Sequence, residues 1–277
     1  MMKVTPLSNS FAGEVSGADL RHALSQDDVS RIVAAFEQHH VLIFRDQTLS
    51  KAQQLSATRQ FGDLDVHADV NAGLDVPEVH TVSNVDSNGI PRADRLGSQH
   101  WHSDKSYRLI PSTATFLHAV ELPPSGGDTQ FADTGAAFDA LGLSKQTELR
   151  ALKVVHDWAR SVAKTTGECI SEVERRRWPP VAHPLARRQA NDRHALFMGQ
   201  HASHILGKPI EEGEEILAAL HAHATQEAFV YVHQWQPGDL LMWDNRCLLH
   251  RAMANFDGDS HRRILHRTVT KGTSAPI

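Results

Sequence analysis

Pro237-Gly238-Asp239-Leu240-Leu241-Met242-Trp243-Asp244-Asn245-Arg246 reads as a turn, a short apolar run and a second turn. Four apolar residues between such turn signals suit a buried strand better than a helix, which needs ten or more. Strand-length runs recur at Thr113-Ala114-Thr115-Phe116-Leu117 and Glu227-Ala228-Phe229-Val230-Tyr231-Val232, with another turn at Pro123-Pro124-Ser125-Gly126-Gly127-Asp128. Upstream, Ser25 can cap a helix whose apolar stripe is Val29, Ile32, Val33 and Phe36, and Ser50 a second one stopped by Gly62. Val41-Leu42-Ile43-Phe44 between them suits a buried strand. Two further helical stretches fall around residues 136–141 and 210–223, while Arg175-Arg176-Arg177-Trp178-Pro179-Pro180 reads as a polar, proline-broken mobile loop. Short strands with turn signals and a few helices predict a mainly β jelly roll buttressed by helices, a single domain over residues 1–277.

A formal net charge of -5 offers no basic footprint for nucleic acid. Nowhere do eighteen apolar residues run together, so no membrane span is expected. The start, Met1-Met2-Lys3-Val4-Thr5-Pro6, lacks the apolar run of a secretory signal. Cys169 and Cys247 are too few for a disulfide framework, and together these features point to the cytoplasm. Nothing in the sequence decides for or against a homo-oligomer.

Trp101-His102-Ser103-Asp104 is the tetrapeptide richest in chemistry. On a strand, alternate side chains share a face, so His102 and Asp104 can present an imidazole and a carboxylate to one ion. His250, just after the 240–246 segment, is the best third ligand. Two histidines and one carboxylate on one octahedral face leave three positions open, the arrangement of non-haem Fe(II) oxygenases. A His-X-Asp pair alone arises by chance in a chain with nineteen histidines, so other features must support it.

Arg263 supplies one. Alternation along residues 262–267 places Arg263, Leu265 and Arg267 on one face, and a guanidinium fork matches a carboxylate bidentately. Thr129, after the Gly126-Gly127 turn, can add a hydroxyl to the same anion.

These residues together resemble the taurine/2,4-dichlorophenoxyacetate dioxygenase family of Fe(II)/2-oxoglutarate enzymes. The resemblance rests on Trp101–Asp104, the 121–129 and 238–246 segments, His250, and the 262–267 segment, with weaker similarity at Gly17-Ala18-Asp19-Leu20-Arg21 and 41–45. It covers nearly the whole chain. It implies a double-stranded β-helix, iron ligands His102, Asp104 and His250, and Thr129 and Arg263 on the tail of 2-oxoglutarate. Fe(II), 2-oxoglutarate and dioxygen are the implied cofactors, and Arg267 falls where the family holds a small anionic substrate. Met198-Gly199-Gln200-His201-Ala202-Ser203-His204 and residues 223–231 look closest to the phenoxyacetate-cleaving branch, with ether cleavage of an aryloxyalkanoate-like carboxylate as the implied reaction. Asn84, Lys105 and His201 join Arg267 as substrate-site candidates, with a turn role equally open for Asn84, solvent for Lys105 and a core or surface place for His201, and Tyr107 stands near enough to meet an aromatic substrate or fill space. Lys105 is a departure, since that branch would be expected to carry a small or uncharged residue there.

Four rival readings stand beside this one. A taurine-type alkylsulfonate dioxygenase would use the same residues. A cupin-like metal-dependent hydrolase or isomerase would share the ligands without needing the Arg263–Thr129 pair. A binding module on the same fold would be expected to have a broken ligand set, whereas a halogenase would lack the carboxylate that Asp104 supplies.

Overall fold

The structure is a computed structural model in which all residues are described except 1, 8, 9, 66–75 and 77. Leu240–Asp244 lies at the centre of a seven-stranded sheet, antiparallel to Val41–Phe44 on one side and to Ala114–Glu121 on the other. Ala114–Glu121 in turn pairs with Ile264–Val269, the strand that follows Arg263. A three-stranded sheet, Val230–His233, Thr129–Asp133 and Leu248–Ala252, is antiparallel throughout.

Period-two alternation explains how these layers stack. Leu42, Phe44, Phe116, Leu240 and Met242 bury against Ile32, Ala35 and Phe36 of the helix Gln26–His39. The intervening residues Val41, Ile43, Leu117, Leu241 and Trp243 face the other way and pack on Phe131 and Leu248 of the smaller sheet. A strand buried on both faces must read as a continuous apolar run, as this one does. Beyond the smaller sheet, Ala132 and Leu249 meet Phe138, Leu149, Leu217 and Leu220, carried by the helices Thr134–Asp139, Leu143–Arg150 and Ile210–Ala224. The expected double-sheet sandwich flanked by helices is present. Among the described residues no helix is long and apolar enough to cross a membrane.

Ser25 accepts from the Asp28 amide and Ser50 forms a full capping box with Gln53, as the sequence predicts. Two local expectations fail. Glu227–Phe229 is a short 3-10 turn, and the strand begins only at Val230. The 175–180 loop is helical up to Arg177, because Ser171 and Glu174 cap each other at the start of Glu172–Arg177 and three arginines suit its negative end.

Candidate active site

His102 and His250 meet as an isolated antiparallel bridge in which each amide donates to the other's carbonyl, at 3.0 and 2.8 Å. Residues so paired point to the same face, and the ring centroids stand 4.1 Å apart. Asp104 departs from the expected strand: only His102 has strand pairing, and Asp104 opens a turn in which Lys105 takes φ 56. The turn is held by Asn245, whose Oδ1 accepts from the Asp104 amide while its carbonyl accepts from Ser103 Oγ. Asn245 Nδ2 also donates to Thr115 Oγ1, and Thr115 donates at 2.6 Å to Asp104 Oδ2. Each bond fixes the next, so the carboxylate has one orientation.

Asp104 Oδ1 lies 3.9 Å from His102 Nε2, and Oδ2 lies 3.9 Å from His250 Nε2. These separations are too long for hydrogen bonds and suit three donors aimed at one ion. Burial keeps both imidazoles below the usual histidine range, so they are neutral, as ligation requires. Burial would raise the Asp104 carboxyl, but the Arg267 guanidinium and the Thr115 bond oppose it, and the group lies well below the usual carboxylate range. The donor set therefore fits a divalent, oxygen- and nitrogen-preferring metal such as Fe(II). A second group, His40, Asp244 and Cys247, also brings ligand atoms within 4.8 Å of one another. There both Asp244 oxygens are taken by the Arg246 fork, and burial pushes the Cys247 thiol up. That group is an internal clamp.

Arg263 is 1% exposed, and no carboxylate among the described residues lies within ion-pair distance of it. Its Nε donates to the Gly127 carbonyl at 2.8 Å and its Nη2 approaches Thr129 Oγ1 at 3.4 Å. Burial lowers the guanidinium to about 10, with Asp128 pulling the other way. Gly127 is needed here: at φ 69, a Cβ would sit 3.0 Å from Arg263 Cδ. Asn84, expected near the substrate, is instead a tie. Its Oδ1 accepts from the Arg263 amide and its Nδ2 donates to the carbonyls of Gly258 and His261.

One residue not singled out by sequence completes this corner. Trp235 Nε1 donates to Thr129 Oγ1 at 3.0 Å. With Trp235 and Arg263 both pointing at that oxygen, the Thr129 proton is left to donate outward. Trp243, whose indole donates to Asn245 Oδ1, supports the Asp104 side.

Arg267 places Nη1 3.2 Å from Asp104 Oδ1 and leaves its Nε buried and unpartnered, so a cation faces the ligand set. Lys105 does not. Its ammonium is paired at 2.9 Å with Asp65, whose carboxylate also takes the Arg108 guanidinium and Ser112. Burial lowers the Lys105 amine to about 8 against the pull of Asp65. His201, its ring nitrogen 2.8 Å from Ser161 Oγ, stands edge-on to Tyr107 at 4.9 Å, and burial lowers it to about 3.

Comparison with known proteins agrees with this geometry. The family model described as taurine catabolism dioxygenase TauD, TfdA family matches residues 3–269. The alpha-ketoglutarate-dependent 2,4-dichlorophenoxyacetate dioxygenase of Cupriavidus pinatubonensis is 42% identical over 96% of both chains. The (S)-phenoxypropionate/alpha-ketoglutarate-dioxygenase of Sphingobium herbicidovorans is 32% identical, over 96% of this chain and 94% of its own. Among solved structures, AAD-2 in complex with Mn(II) and N-oxalylglycine superposes with a TM-score of 0.90 at 33% identity, covering 100% of this chain and 99% of its own. The jelly-roll expectation holds.

Proposed function

We propose that this chain, which belongs to the taurine catabolism dioxygenase TauD, TfdA family, oxidises a small aryloxyalkanoate-like carboxylate at the carbon beside its ether oxygen. The reaction class follows from the family: it is a 2-oxoglutarate-dependent dioxygenase, an oxidoreductase using Fe(II), 2-oxoglutarate and dioxygen. When bound, Fe(II) supplies the oxidative decarboxylation of 2-oxoglutarate to succinate and carbon dioxide that drives substrate hydroxylation.

In this reading His102, Asp104 and His250 hold the metal. Arg263 and Thr129 hold the distal carboxylate of 2-oxoglutarate, with Trp235 and Gly127 setting their geometry. Arg267 takes the substrate carboxylate, and its contact with Asp104 keeps that anion close to the ligand set. A carbon between carboxylate and ether oxygen, once hydroxylated, is a hemiacetal. Breaking its outer C–O bond releases an alcohol or phenol and leaves a 2-oxo acid. We read residues 1–277 as one catalytic domain.

The observation that carries the proposal is the Arg263 guanidinium, buried beside Thr129 without a carboxylate partner among the described residues. Buried charges are ordinarily paired, and this one lacks the partner that a bound dicarboxylate would supply. A hydrolase or isomerase using the same metal ligands has no use for it. The test is succinate release with phenoxyacetate, an alkyl sulfonate and no added acid. Phenoxyacetate should stimulate release and yield phenol, and Arg267→Ala should lose that stimulation while its 2-oxoglutarate KM stays near wild type. Stimulation by the sulfonate alone would overturn the substrate assignment.

A further inference from the structure

Four rings form a cluster outside the three apolar cores. Tyr107 meets His201 at 4.9 Å and Trp178 at 5.6 Å, both edge-on, and Trp158 at 6.3 Å. All four residues are half-buried, whereas Trp101 and Trp243 are buried core members. Half-exposed rings in contact with one another leave part of their apolar surface open to a ligand.

The cluster is tied to the metal-ligand turn. Tyr107 lies in the same turn as Asp104, closed by Arg108 N donating to the Lys105 carbonyl at 2.9 Å. His201 follows Gln200, whose amide donates to the Trp101 carbonyl, so its ring stands beside His102. Burial raises the Tyr107 phenol, and the charges of Arg108, Asp104 and Arg267 all reach it.

The wall is also braced from behind. The Arg108 guanidinium lies 4.7 Å from the centre of the Trp178 ring, and its Nη1 donates to both Asp65 carboxylate oxygens at 2.8 and 3.0 Å. Arg177 lies 5.4 Å from the same ring. An ion-paired arginine stacked on a tryptophan fixes the ring before any ligand arrives, which lowers the ordering cost of binding.

From this we infer that Tyr107, Trp158 and Trp178 form an aryl-binding wall that selects ether carboxylates bearing an aromatic ring over those bearing an alkyl chain. The inference rests on the substrate reading above. Arg267 takes the carboxylate end, and the wall takes the far end of the molecule. Ring-on-ring contacts in offset or edge geometry contribute beyond area burial, which an alkyl chain cannot match.

The test compares phenoxyacetate with butoxyacetate, the same ether carboxylate without a ring, on the Fe(II)-loaded enzyme. Wild type should favour phenoxyacetate in kcat/KM. Trp178→Leu should shrink that preference by about tenfold, the upper end of one aromatic contact, with the 2-oxoglutarate KM unmoved. Binding of each acid without dioxygen, followed by tryptophan fluorescence, should show the same loss. If Trp178→Leu does not fold, Tyr107→Leu and Trp158→Leu carry the same expectation. Equal wild-type kcat/KM for the two ethers, or a parallel loss for both in the variant, overturns the wall alone. Turnover of an alkyl sulfonate and of neither ether overturns the substrate reading together with it.

Discussion

His102 and His250 exchange both of their backbone hydrogen bonds, so two metal-ligand candidates from distant parts of the chain are a single structural unit. Neither backbone position can shift without breaking the pairing of the other. Asp104 joins them through side-chain bonds alone, which makes it the softer member of the set.

That asymmetry gives a prediction for Thr115. Thr115→Val removes the 2.6 Å bond to Asp104 Oδ2 at nearly constant volume. Outer partners of metal ligands are typically worth about 10–100-fold in metal affinity. Fe(II) titration should show a loss in that range with the fold intact by circular dichroism; unchanged affinity would remove Thr115 from the site.

Arg263→Met separates binding from stability. Removing a buried charge that has no carboxylate partner among the described residues should leave the thermal midpoint of the free protein unchanged or raised. The same change should raise the 2-oxoglutarate KM by about one to two decades, since a charge-assisted hydrogen bond contributes about 1.5–3 kcal/mol. Calorimetry and steady-state kinetics on one preparation check both halves.

Trp235→Phe keeps an aromatic ring but removes the indole N–H that donates to Thr129, together with part of the indole's volume. A neutral hydrogen bond is worth about 0.5–1.5 kcal/mol net, so the 2-oxoglutarate KM should rise by roughly two- to tenfold with kcat little changed. A fall in kcat at constant KM would place Trp235 elsewhere in the cycle.

Asp239 predicts a pH dependence. Burial would raise its carboxyl, but bonds from His233, the Gln236 amide and Arg45 lower it below the usual range. A depressed folded value adds stability above the unfolded value of about 4, and that stability is lost as pH falls below it. Urea denaturation from about pH 6 down to 3 should show a steeper decline for wild type than for Asp239→Asn, which starts from lower stability.

Much of this site was legible in the sequence because its pieces are local or periodic. The strand at 240–244 declares itself by an apolar run between turns, and His102, Asp104, His250, Thr129 and Arg263 stand at recognisable spacings. The partners that aim them were not legible. Thr115 reaches Asp104 only because its strand lies beside Leu240–Asp244, with Thr115 opposite Trp243 in a register no local pattern encodes. Lys105 looked like a free cation until Asp65, far upstream, proved to hold it. Asn84 looked like a pocket residue, but its amide is spent on the 258–263 backbone. The helix Glu172–Arg177 was within reach, since its Ser171–Glu174 capping box is a local signal masked by neighbouring arginines and prolines.

The most direct measurement is anaerobic addition of 2-oxoglutarate to the Fe(II)-loaded protein, following the visible charge-transfer band of the chelate. Wild type should develop the band, Asp104→Ala should not, and Arg263→Met should need about one to two decades more 2-oxoglutarate. A band of wild-type strength and midpoint in both variants would contradict the account.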